Sequence, residues 1–214
     1  MGASHAEFDP ECRRCERLAG FLDEVRGHHP VYHCRPVAPF GSIAHRLLIV
    51  GLAPGLHGAN RTGRPFTGDH AGILLYRTMH AHGFASAPVS VSADDRLTLI
   101  DCRITNAVKC LPPANKPLPA EVHECNRYLA AELLAVPPGG VILALGAIAH
   151  GAVLRALGLK PARARFAHGA EHELPERRAL LDSYHCSRYN TQTRRLTAPM
   201  FDRIFFRARH LLAG

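Results

Sequence analysis

Short apolar runs alternate along this chain with segments of helical period, and breaks rich in glycine, proline or asparagine separate them. Residues 47–50, Leu-Leu-Ile-Val, read as a buried strand that runs into Gly51-Leu52-Ala53-Pro54-Gly55. That loop continues to Gly68. A second strand lies within 97–106, a third at 141–145, and a shorter fourth at 179–182. Helical period predicts helices over about 16–27, 70–80, 121–135, 147–157 and 199–212. Strands alternating with helices imply an α/β layered domain with a parallel sheet, because each crossover helix must pack back onto the sheet. The expected architecture is three layers, α/β/α, around a central, mostly parallel four-stranded sheet. Binding sites in such sheets lie beyond the carboxyl ends of the strands. The loops there, after the first, second and fourth strands, are the ones dense in Gly, Asn, His and Arg.

Composition excludes several classes. Hydrophobic residues make up 47% of the 214 residues and charged residues 21%, which argues against disorder over most of the chain. The apolar runs are too short to cross a bilayer. The N-terminus lacks the charged-then-apolar pattern of a secretory leader. One domain is expected over 1–214, with 1–44 forming an N-terminal arm, and a cytoplasmic location follows. The balance of 26 basic against 18 acidic residues gives +8. That excess fits a polyanionic partner such as nucleic acid, and equally a generally basic surface.

Seven cysteines, an odd number with clustered spacing, do not suggest a disulfide framework. Cys12 and Cys15 form a C-x2-C pair, whereas Cys110 and Cys125 are spread across the proline-rich segment and the helix after it. Four thiolates can hold zinc or an iron–sulfur cluster, so ligand type alone leaves the metal open. The single close pair departs from a zinc ribbon and suits a larger cluster tying the arm to the main domain. Cys110 and Cys125 could also be ordinary buried thiols.

Two familiar phosphate-binding patterns fail in the first loop. Gly58 and Gly63 have P-loop spacing, but Arg64-Pro65 replaces Lys-Ser/Thr, and no G-x-G-x-x-G occurs. The loop does offer a carboxylate (Asp69), an aromatic ring (Phe66) and two arginines (Arg61, Arg64). Asp69 also stands where a helix N-cap belongs. Asn106 ends the second strand, and His185 follows the fourth within Ser-Tyr-His-Cys-Ser-Arg-Tyr-Asn-Thr-Gln-Thr-Arg-Arg. Three polar groups from three loops at one sheet edge form a candidate catalytic set: Asp69, Asn106 and His185. No close His/Glu metal pair such as H-E-x-x-H supports a zinc-dependent hydrolase.

These segments carry a resemblance. Gly51-Leu-Ala-Pro, His57-Gly-Ala-Asn-Arg-Thr-Gly-Arg64 and Phe66-Thr-Gly-Asp69 resemble the first motif of the family 5 uracil-DNA glycosylases, the UDGb type. Asn106-Ala-Val-Lys-Cys110-Leu-Pro-Pro-Ala-Asn-Lys-Pro resembles their middle segment, and His185-Cys-Ser-Arg-Tyr-Asn190-Thr with Arg195-Leu-Thr197 their last motif. The resemblance spans nearly the whole chain. It implies a uracil-DNA glycosylase-like fold and removal of uracil, and of other deaminated or damaged bases, from DNA. It further implies a structural [4Fe–4S] cluster on Cys12, Cys15, Cys110 and Cys125. Asp69, Asn106 and His185 take the catalytic roles by the same resemblance. Gly51, Ala53, Asn60, Phe66, Arg188 and Asn190 then contact substrate, with Phe66 stacking on the flipped base and Arg188 entering the minor groove. The implied partner is damaged DNA, with no membrane and no obligate protein partner, and the enzyme is expected to be a monomer. A non-catalytic damaged-DNA-binding module on the same fold is the other reading. Four positions depart from the family pattern: Cys186 for proline, Gly55-Leu56 for Ala-Ala, and Arg194 for glycine.

Overall fold

A computed structural model describes residues 7–214. Six strands, β1 (Phe40–Gly41), β2 (Leu47–Gly51), β3 (Cys102–Asn106), β4 (Val141–Leu145), β5 (Glu171–Glu173) and β6 (Ala179–Ser183), form one sheet in the order β1-β3-β2-β4-β6-β5. The helices are α1 (Glu16–His28), α2 (Ala59–Thr62), α3 (His70–Ala81), α4 (Pro119–Leu134), α5 (Ala147–Ala156), α6 (Arg188–Gln192) and α7 (Ala198–Ala213). No helix among the described residues is long and apolar enough to cross a membrane.

The four inner strands are parallel and match the predicted four. The sheet itself has six strands rather than four, because β1 and β5 add antiparallel edges. These edge strands span only two and three residues. β1 contains a glycine and β5 reads Glu-His-Glu, so neither carries a run of β-branched side chains to betray it. Short or charged edges also resist pairing with other chains.

Every residue of β2 and β4 is buried, as expected for parallel strands covered on both faces. Their side chains alternate between two cores. Leu47, Ile49, Val141 and Leu143 pack with Leu75, Met79, Phe201 and Phe205 of α3 and α7. Leu48, Val50, Ile142 and Ala144 pack with Leu129, Leu133 and Val153 of α4 and α5. The three-layer expectation therefore holds.

The amino-terminal arm packs on the first half of α4. Leu18 of α1 packs with Val108, Cys125 and Tyr128, and Leu22 and Val25 pack with Cys34 and Leu111. Arg17 grips Glu121 through two bonds of 2.7 Å, and Arg14 pairs with Glu124. Glu121 also accepts from the Leu118 backbone at 2.7 Å, so one side chain both caps α4 and anchors the arm.

Candidate active site

Register fixes the floor of the site. Gly51 and Asn106 sit side by side at the carboxyl ends of β2 and β3. A Cβ on Gly51 would overlap both the Asn106 Oδ1 and the Phe66 ring, so glycine lets these two side chains close over the strand end. Beyond this rim lies an open cavity of about 850 Å³. Its walls include Ala53, Phe66, Asp69, Asn106, His185 and Arg188.

Asp69 immediately precedes α3 as its N-cap, and its Oδ1 accepts from the Gly72 backbone N–H at 3.1 Å. It is thus a helix cap and a cavity wall at once. Its second carboxylate oxygen faces Gly58, where any Cβ would overlap the carboxylate. Burial pushes the Asp69 carboxyl above its usual pKa, although backbone N–H groups oppose the shift. Burial also holds His185 down to about 4, so its ring is neutral near pH 7. No other described side chain or backbone group hydrogen-bonds that ring, which stacks beside Phe66 with centroids 5.8 Å apart. Asn106 is buried, and its Oδ1 has no partner among the described residues.

The remaining expected contacts divide. Ala53 and Arg188 line the cavity, and exposed Tyr189 stands with Arg188 at its mouth. Gly51 shapes the wall from behind. Asn60 is fully buried off the cavity, with its Nδ2 on Cys34 Sγ at 3.5 Å. Asn190 also lies off it and donates to the His185 carbonyl at 2.8 Å, which braces that loop. Arg64 is unavailable to a ligand: it is buried, paired with Asp95 and stacked 4.3 Å over the Phe40 ring. Arg194 adopts φ +58°, a left-handed conformation that glycine meets without strain. Cys186 is wholly buried in the main core, filling apolar space behind His185.

Sequence reasoning missed one residue. Lys109 is fully buried, and its ammonium bonds the Asn106 carbonyl at 3.0 Å, Thr105 Oγ1, and Glu132 Oε1 at 2.7 Å. It holds the strand end from which Asn106 projects. A lysine beside Cys110 carries no sequence sign of such burial, since lysine is ordinarily exposed. Removing one partner strands the other charge in low dielectric. Lys109→Met should therefore cost about 3 kcal/mol, and Lys109→Met with Glu132→Gln should recover part of it. Urea denaturation of both variants checks this.

The four thiols also converge. Cys12 and Cys15 of the arm, Cys110 after β3 and Cys125 of α4 line one small enclosed cavity. All are free thiols. Burial, followed by the charge of neighbouring cysteines, pushes Cys110 well up. Burial likewise raises Cys125 to about 11, against the pull of Lys109. Such a set favours thiols until a cation compensates it. Four convergent thiols are a donor set that either a zinc ion or a thiolate-bound iron–sulfur cluster takes.

A mostly parallel sheet, with a largely apolar cavity over its carboxyl rim into which a few polar groups converge, defines an α/β protein with a pocket suited to a small group at a strand end. A sequence profile of the Uracil DNA glycosylase superfamily matches residues 38–209. The chain is 47% identical over 205 residues to a type-5 uracil-DNA glycosylase of Thermus thermophilus, covering 94% of this chain and 93% of that one. It is 44% identical over 209 residues to a type-5 uracil-DNA glycosylase of Mycobacterium bovis, covering 94% and 78%. Against a type-5 uracil-DNA glycosylase of Pyrobaculum aerophilum it is 41% identical over 201 residues, covering 92% and 87%. The chain belongs to the uracil-DNA glycosylase superfamily, in its type 5 branch.

Proposed function

We propose that this protein is a monofunctional DNA glycosylase that removes uracil, and other deaminated or damaged bases, from DNA. The observation that carries this reading is the unpartnered, buried Oδ1 of Asn106 in the cavity wall that it shares with Asp69 and His185. A buried acceptor without a partner costs about 1–3 kcal/mol unless a ligand donates to it, and a flipped pyrimidine offers a ring N–H. The 850 Å³ cavity is roomy enough to leave other bases unexcluded by size. The net charge of +8 supports binding to the phosphate backbone. Flipping costs a few kcal/mol, and exposed Arg188 and Tyr189 at the cavity mouth are placed to fill the gap left in the duplex.

The chemistry follows from where charge develops. As the N-glycosidic bond breaks, its electron pair leaves with the base, and the sugar becomes oxocarbenium-like. Neutral His185 donates an N–H to the base carbonyl that gains negative charge. The Asp69 carboxylate stabilises the cationic sugar and orients water. The water oxygen adds to C1′, and its proton passes to Asp69. Phe66 stacks on the base and Asn106 reads its edge. Cys12, Cys15, Cys110 and Cys125 would hold a [4Fe–4S] cluster. When bound it supplies structural cross-linking between arm and α4, and no step of base removal needs it.

Scission of a uracil-containing oligonucleotide after treatment with purified protein and then alkali tests the reading. Binding without scission would instead support the non-catalytic module. Two further outcomes follow from the site. His185→Gln should slow base release about 100-fold with little change in DNA affinity, measured by single-turnover assays. Asp69 must be ionised to act, so rate should fall as pH drops through a value above the ordinary 3.8. His185 stays neutral above about 4 and should add no inflection between pH 6 and 8. A rate profile from pH 4 to 9 checks both limbs.

A further inference from the structure

Below the loop that carries His185, three ligand-type side chains meet. Asp182 lies on β6 with no exposed surface, His150 on α5, and His172 on the edge strand β5. One Asp182 oxygen is 2.8 Å from His150 Nδ1, and the other is 3.2 Å from His172 Nε2. Their donor atoms lie within 4.8 Å of one another, the one such trio of His, Cys, Asp or Glu among the described residues.

The orientation of His150 is informative. Its Nε2 lies 3.1 Å from the Ala164 carbonyl. A carbonyl only accepts, so Nε2 carries the hydrogen. In the neutral ring the Nδ1 lone pair then faces a carboxylate oxygen, a juxtaposition that either a second proton on His150 or a bound metal cation resolves. Metal-bound imidazoles characteristically donate their other N–H to a carbonyl or carboxylate in this way. Donors about 2.1 Å from a metal and at right angles are about 3.0 Å apart, and tetrahedral ones about 3.4 Å. The 3.2 Å between His172 and one Asp182 oxygen falls in that range, and the 2.8 Å between His150 and the other oxygen lies just below it, so a small outward shift of His150 would admit an ion. Access exists: partly exposed His172 borders a polar cleft of about 260 Å³ with Arg163, Glu171 and Glu173.

We propose that His150, His172 and Asp182 form a second metal site that takes a divalent transition cation, with zinc as the expected occupant. Two imidazoles and one carboxylate suit zinc and are chemically unlike the four-thiol set, so the two sites sort different metals. The ion clamps α5, β5 and β6 together three residues before His185. Its role is structural, and it does not depend on the glycosylase reading.

The test is calorimetric titration of zinc into holoprotein whose thiol site is filled. One equivalent should bind, with a rise in melting midpoint. Asp182→Asn should abolish both effects. If that buried change fails to fold, the more exposed His172→Ala should still weaken zinc binding at least 100-fold. Cobalt should give ligand-field bands without thiolate charge transfer. No zinc uptake, or uptake unchanged in His172→Ala, overturns the proposal. So does NMR showing His150 doubly protonated in zinc-saturated protein, because the trio would then be a proton-bridged ion pair.

Discussion

Asp69→Asn should leave the fold intact and lower the single-turnover rate about 1,000-fold, roughly 4 kcal/mol of transition-state stabilisation. The substitution separates two jobs held by one side chain. Asn caps helices about as well as Asp, so the bond from the Gly72 N–H survives. The carboxyl pKa is raised in the folded protein, which means that folding favours its protonated form. Above that pKa the ionised group costs stability, and the uncharged amide has no such cost. The melting midpoint of Asp69→Asn should therefore match or exceed that of the native protein at pH 7 while turnover collapses. Asp69→Ala should lose turnover too, together with about 1 kcal/mol of stability from the missing cap. Unchanged turnover in Asp69→Asn would reduce the residue to a cap.

That duality explains why the site was only partly legible in sequence. Asp69, Asn106 and His185 could be chosen because each follows a strand, and the parallel sheet brings those ends to one rim. The inner strands announced themselves as unbroken apolar runs, and Leu48 and Ile49 alternate between cores as such runs must. The edge strands could not be seen, since Phe40-Gly41 and Glu171-His172-Glu173 have neither length nor apolar pattern. Side chains within one motif diverged for a similar reason. Asn60 and Phe66 both lie in the first loop, yet the turn of α2 sends Asn60 back to Cys34 while Phe66, at φ +54°, faces His185. Such turns depend on tertiary contacts with the arm, not on local sequence. Lys109 was hidden because burial of a lysine is set by its distant partner Glu132.

Cys125→Ser should be the most damaging single change to stability, and its damage should precede any change in intrinsic chemistry. Cys125 sits on α4, accepts from the Lys109 N–H at 3.3 Å, and faces the arm cysteines. The arm has its own attachments, namely Arg17 on Glu121, Arg14 on Glu124 and the apolar contacts of Leu18 and Leu22. Exposed ion pairs such as Arg14–Glu124 contribute little, so a cluster held by the four thiols, as proposed above, would be the strongest tether. Binding a structural metal site contributes on the order of 10 kcal/mol in small domains, more than a typical domain's net stability. The expected results are loss of iron by elemental analysis, loss of the broad visible absorption of a thiolate-bound iron cluster, and a soluble yield reduced several-fold. Limited proteolysis should cut the arm near residues 28–36 before it cuts the sheet. The effect should reach the cavity as well, because Tyr32 of the arm bonds His57 in the cavity wall at 3.0 Å and Cys34 receives Asn60. Any folded fraction should keep its single-turnover rate on bound DNA and lose affinity instead, since none of the proposed catalytic groups, Asp69, Asn106 and His185, lies on the arm. A fully folded, iron-free Cys125→Ser with native melting would show that packing and ion pairs alone hold the arm in place.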